Sequence, residues 1–238
     1  MINLIKVELS TMLKRFDIKM TIIICMFLGI YLGIMNNINE TIFCEGIFEW
    51  VLILCLFLSA LSGLYISRDY TQNTIRNKVI VGHSRLNIYL SKQIAVTTFY
   101  LTSILLYMLT MIITNYILIG TSNVNLDAFK IGIVITIFST IAISTIATII
   151  SMSSKSEVGG LMPLLILFIL FIFSALGMEI FDKEIMTSIN EILPTGQIML
   201  LNLIEKTDKM SKMILSSIII SLSCITTGYL IFKNSDLN

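Results

Sequence analysis

Six long apolar blocks divide this chain, at about residues 20–35, 47–66, 94–119, 129–151, 159–178 and 213–232. A helix crosses the hydrocarbon core of a bilayer with about 20 predominantly apolar residues, so each block is a candidate span. The rest of the composition agrees. Of 238 residues, 56% are hydrophobic and only 13% are charged, with a mean hydropathy of +0.92. A water-soluble domain carries about 25% charged residues. The expected fold is therefore an all-α membrane protein with six transmembrane helices. Met20 to Met35 is followed by further spans, which marks it as a retained span rather than a cleaved signal peptide. Cys25, Cys55 and Cys224 lie inside apolar runs and Cys44 in a short loop, with neither metal-ligand spacing nor a disulfide framework. Abundant Ile, Lys and Asn point to an AT-rich bacterial genome, hence to a bacterial plasma membrane.

The polar segments between the blocks carry the orientation. One side holds Lys6, Lys14, Arg15, Lys19, the island Arg68 to Lys92 with its five bases, Lys155 and Lys233. The other holds Lys130, Lys183, Lys206, Lys209 and Lys212. The positive-inside bias then places both termini and the island in the cytoplasm. Residues 1–19 carry an apolar stripe of Ile5, Leu9, Met12, Leu13 and Phe16, with Lys6, Glu8, Lys14, Arg15 and Lys19 elsewhere on the wheel; this predicts a helix lying in the headgroup plane. Within the island, Ile75, Val79 and Ile80 have the spacing of a short amphipathic helix, Gly82 stands where its left-handed C-terminal residue belongs, and Ser84 is placed to cap the next helix. Five Lys or Arg side chains in the bilayer centre would cost about 12 kcal/mol or more, so the island is expected in water or at the surface. Between the fifth and sixth blocks, Pro194-Thr195-Gly196 predicts a turn and Ile198 to Ile204 a short helix against the membrane.

Chemistry-bearing motifs are sparse. The chain has no G-x-x-x-x-G-K-[ST] nucleotide loop and no H-E-x-x-H, and its single histidine, His83, stands in the island turn without an activating partner. No catalytic residue, metal site or nucleotide site is expected. Glu40, Glu45 and Glu49 lie near the outer end of the second span and read as solvated mouth residues. Buried carboxylates near the midplane, which an ion-coupled carrier or an intramembrane protease would use, are missing. Gly29 and Gly33 form a G-x-x-x-G, and Ser59 and Gly63 a small-x-x-x-small pair, both suited to close helix approach within the bundle or between subunits. Thr136, Thr140, Ser144 and Thr148 recur every four residues along the fourth span, as a permeation wall or as ordinary packing.

With the spans and island placed, the chain resembles the ABC-2 family of ATP-binding-cassette permeases over nearly its whole length. The likeness rests on the basic N-terminal helix, the long connection before the last span, and the first cytoplasmic loop. That loop reads Arg68-Asp69-Tyr70, then Asn73-Thr74-Ile75-Arg76-Asn77-Lys78, Gly82-His83-Ser84-Arg85 and Ile88-Tyr89. Many such permeases read E-x-x-x-x-G-T-I-R-N-K here; Asp69 stands for the acid and Asn73 replaces the glycine. The resemblance implies a permease subunit, paired as a homodimer or heterodimer in lipid and served by separate ATPase subunits that bind ATP and Mg. It implies an interfacial helix over Leu4 to Ile18 and a coupling helix over Asn73 to Val81, with Asn73, Thr74, Ile75, Arg76, Asn77, Lys78, Val79, Gly82, His83 and Arg85 as the ATPase contact. It also makes Gly29 and Gly33 candidates for the dimer contact. The expected function is export of a hydrophobic or amphipathic substrate such as an antimicrobial peptide, drug or lipid. The alternative is a peptide-immunity or sensory subunit that passes nothing through itself. Nucleic acid is not an expected partner.

Overall fold

A computed structural model of the chain describes residues 1–38, 46–118, 126–154, 156, 158–180, 182–201 and 209–235. Glu40, Cys44, Glu45, Lys155, Lys206 and the 202–204 end of the expected short outer helix lie outside these residues. Among the described residues the structure is helical throughout, with no strand. The helices are α1 (Ile2–Lys14), α2 (Phe16–Ile38), α3 (Val51–Thr71), α4 (Thr74–Ile80), α5 (Arg85–Leu118), α6 (Leu126–Ser154), α7 (Met162–Ile180), α8 (Lys183–Asn190), α9 (Pro194–Leu200) and α10 (Met210–Asn234). Six of them, α2, α3, α5, α6, α7 and α10, are long and apolar enough to cross a membrane. This is the architecture of a multi-pass membrane protein.

The six spans divide into an inner and an outer set. α3, α5 and α6 are the most enclosed, and α2, α7 and α10 pack around them with most of their surface outward. The outward faces are apolar: Phe27 and Ile34 on α2, Ile169 and Phe173 on α7, and Ile219 and Leu222 on α10 are all exposed. Lipid-facing surface has this composition because tails compete equally for Leu and Ile, so contact between spans rests on close packing. Three glycines mark close approaches between helices. A Cβ on Gly29 would fall 2.6 Å from the Tyr107 carbonyl oxygen, and one on Gly33 would fall 2.7 Å from Thr114 Cβ, so the G-x-x-x-G lets α2 lie against α5. A Cβ on Gly63 would fall 1.8 Å from the Gly160 carbonyl oxygen, where α3 meets the 3-10 turn Val158–Leu161. The G-x-x-x-G is thus filled from within the same chain, which removes it from the surface that a second subunit would need.

The hydroxyl stripe is likewise internal. Thr136, Thr140, Ser144 and Thr148 are fully buried, and Ser144 Oγ lies 3.0 Å from Thr97 Oγ1 across the α5–α6 contact. Thr136 and Thr148 donate to carbonyls of their own helix, those of Gly132 and Ser144. A wall facing a pathway between protomers needs accessible side chains, so the permeation-wall expectation is corrected to helix packing. Ser59 is buried in the same way, its hydroxyl donating to Leu56 O.

Two spans run past their apolar blocks. α3 continues through Arg68 and Asp69 to Thr71, and α5 starts at Arg85, ahead of the apolar block expected from residue 94. At 1.5 Å per residue the 34 residues of α5 extend about 50 Å, against a hydrocarbon core of about 30 Å. About half of the polar island is therefore the projecting end of two spans, and α4 is the short crosspiece between them. α8 and α9 follow α7. Pro194 occupies the first turn of α9, where its missing N–H costs nothing, so Pro194-Thr195-Gly196 begins a helix rather than forming a separate turn. α9 is enclosed by α3, α6 and α7 instead of lying on the surface, with Thr195, Gly196, Gln197 and Ile198 all buried. Gln197 Nε2 donates to Glu191 O and Met213 O, both at 2.9 Å, and its Oε1 accepts from Ser217 Oγ at 2.6 Å, which ties α9 to the start of α10.

Candidate functional site

The α4 crosspiece is shaped by its two ends. Asn73, just before it, has φ 55° and is the only described non-glycine residue with positive φ. That left-handed conformation suits glycine best and asparagine next, which explains physically why asparagine is tolerated here. At the other end Gly82 has φ 98°, Gly82 N–H donates to Val79 O at 3.0 Å and His83 N–H donates to Lys78 O at 3.1 Å. This pair of bonds is the Schellman ending that the Gly82 position predicts. Ser84 then accepts from the Asn87 N–H at 3.3 Å, as an N-cap of α5 does.

Beneath α4 lies a charged node built from four helices. Glu8 of α1 is 1% exposed. Its carboxylate accepts from Tyr65 Oη at 2.7 Å, pairs with Lys92 Nζ at 2.6 Å, and takes a short bond from Lys78 of α4. Lys92 of α5 is 0% exposed; it also pairs with Asp69 of α3 and stands 4.2 Å above the centre of the Tyr65 ring. Arg15 lies 5.2 Å from the same ring centre, and Asp17 pairs with Arg15 at 3.3 Å and Arg68 at 3.4 Å. Burial pushes the Glu8 carboxyl up, but the Lys92 charge and the hydrogen bonds from Lys78, Lys92 and Tyr65 outweigh it and hold its pKa below the ordinary value. Glu8 is consequently a carboxylate at neutral pH. Two acids face two lysines inside the node, so the charges compensate one another.

This arrangement corrects two sequence expectations. The apolar-stripe reading put Glu8 on the solvent side of α1, yet Leu4, Glu8 and Met12 form the buried face, while Leu13 and Phe16 are exposed at 54% and 75%. Their i, i+4, i+8 spacing was a usable signal that one acid shares a face with two apolar residues. The insertion cost of five bases places Lys92 in water or at the surface with the rest of the island, whose one acid is Asp69. The second acid, Glu8, arrives from α1.

The island residues separate into three groups. Ile75 is buried, and Thr74 and Val79 are half-buried, anchoring α4 against α3. Lys78 belongs to the node and Arg85 to the chain's other end: Arg85 Nη1 donates to Lys233 O and Ser235 O at 2.7 Å and to Phe232 O at 3.3 Å, closing the C-terminus of α10. A cation there also meets the negative end of the helix dipole. The exposed remainder is Asn73, Arg76, Asn77, Ile80, Val81, Gly82 and His83. Ile80 and Val81 are 72% and 77% exposed, an apolar tip beside the exposed Arg76 guanidinium. With α1 and the end of α10 both held against this region, the two termini share one end of the bundle with α4.

Among the described residues no group of His, Cys, Asp and Glu is placed to hold a metal ion. No protein-family model matches the chain, and no curated protein matches it.

Proposed function

We propose that this chain is the membrane-spanning subunit of an ABC-2 type exporter, with α4 as the coupling helix on which a separate ATPase subunit docks. The observation that carries the reading is the α4 tip: Ile80 and Val81 stand bare beside Arg76 on a crosspiece joining two spans that project from the bundle. Apolar side chains exposed this fully on a polar segment are suited to a partner's groove, with a nearby charge steering the encounter. The node beneath α4 fits a site that receives force, because Lys78–Glu8 joins the crosspiece to α1, and Glu8–Lys92 and Lys92–Asp69 carry that link on to α5 and α3. ATP and Mg would be held by the ATPase. The substrate would be hydrophobic or amphipathic, and the tip would face the cytoplasm of a bacterial cell.

A photo-crosslinking residue at Val81, installed in the full chain in its own host membrane, tests the reading. The expected adduct is a P-loop ATPase, lost in Arg76→Glu/Ile80→Asp and weakened by high salt. The same crosslinker at buried Ile75 should capture nothing. A Val81 adduct with lipid alone, or with an unrelated protein, overturns it.

A further inference from the structure

At the far end of the bundle, about 20 Å along α3 from Tyr65, a cavity of about 210 Å³ opens between α3, α7 and α9. Leu52, Ile53, Phe171, Ile198 and Met199 supply apolar walls, and among the described residues Glu49 is the single charged one in the lining. Glu49 is exposed, and among the described residues it forms no ion pair. Its position is nevertheless fixed. Ile47 and Phe48, just before it, are buried; Tyr107 Oη donates to Ile47 O at 3.2 Å, and the Phe48 and Phe129 rings are 6.2 Å apart. An apolar cavity with one anchored carboxylate at its edge and, among the described residues, no lining base fits a molecule with an apolar body and a positive end.

We infer that this cavity is a binding site for a small amphiphilic cation, whose charged end meets Glu49 and whose apolar part lies between Leu52, Phe171 and Ile198. The binding step needs no ATPase and stands apart from the α4 docking surface. Only the further statement that such cations are the exported substrate rests on the transporter reading.

Trp50, the only tryptophan in the chain, follows Glu49 directly and reports on the site. The purified full chain in nanodiscs is titrated with hexyltrimethylammonium, hexanol and hexanoate while Trp50 emission is followed. The cation is expected to give a saturable change with an apparent affinity at least tenfold above hexanol, and hexanoate to give none. Glu49→Gln should bring the cation down to the level of hexanol, and Met199→Phe, which narrows the cavity, should weaken cation and hexanol alike. Equal responses to all three probes mean partition of a hydrocarbon chain only and overturn the inference. So does a cation preference that survives Glu49→Gln, or binding untouched by Met199→Phe. Binding that holds while the Val81 crosslink fails would strike the transporter reading and leave this site standing.

Discussion

Removing the Glu8 carboxylate should release α1 from the bundle without unfolding the spans. Glu8→Ala deletes the acceptor of three bonds at once, from Tyr65, Lys78 and Lys92. Breaking a buried ion pair from one side costs about 3–5 kcal/mol, because the remaining charge is left uncompensated. Lys92 keeps Asp69, and Lys78 is 21% exposed and can turn to water, so the lower end of that range applies. A loss of about 3 kcal/mol corresponds to roughly a hundredfold rise in the open population of α1. Hydrogen exchange read by mass spectrometry on peptides covering residues 2–14 measures it directly. Exchange there should accelerate by about two orders of magnitude in Glu8→Ala and by less in Glu8→Gln, which keeps the shape and a hydrogen bond. Peptides from α6 should not change. Lys78→Ala alone should have a smaller effect, and the double variant should fall short of the sum, since both changes act on one network. If α1 exchanges in Glu8→Ala as it does in the parent, the node contributes nothing to docking and the reasoning fails.

Acid should act on the same helix. Glu8 has a lowered pKa, so its contribution is complete above the ordinary glutamate value, about 4.3, and is lost as the pH falls through the lower folded value. α1 exchange, corrected for its intrinsic rate, should be flat from neutrality down to that range and rise only below it; a rise centred near pH 6 would contradict the assignment. Asn73→Gly should leave thermal stability unchanged or raise it by up to about 1 kcal/mol, because glycine takes φ 55° without steric cost. Gly63→Ala should cost about 3 kcal/mol or more in a detergent melt, since the new methyl meets the Gly160 backbone and not a mobile side chain. Arg85→Ala should free the last turn of α10, seen as faster proteolytic trimming after Phe232 with the melting temperature little altered.

The spans were legible because each block of apolar residues satisfies its own backbone and needs no distant information. The ends of α4 were legible for a related reason: a left-handed Gly82 and a capping Ser84 act within one turn of the chain. Much of what was not legible involved a partner remote in sequence. The carbonyl that Gly63 meets belongs to residue 160, and the carbonyls that Arg85 closes belong to residues 232, 233 and 235. Lys92 shows the limit most sharply. The cost of burying a base applies to an unpaired charge, and the island itself offers Lys92 only one acid. With Glu8 as the second, the side chain can be fully enclosed. The enclosure has a mechanical consequence. Short stretches of backbone at Gln72–Asn73 and Val81–Ser84 join α4 to α3 and α5, and Lys78–Glu8 joins it to α1. A push on the Ile80–Val81 tip therefore has three routes out of α4. Lys92 connects those routes to one another through Glu8, Asp69 and the Tyr65 ring, so one helix cannot yield without moving charges that the other two hold.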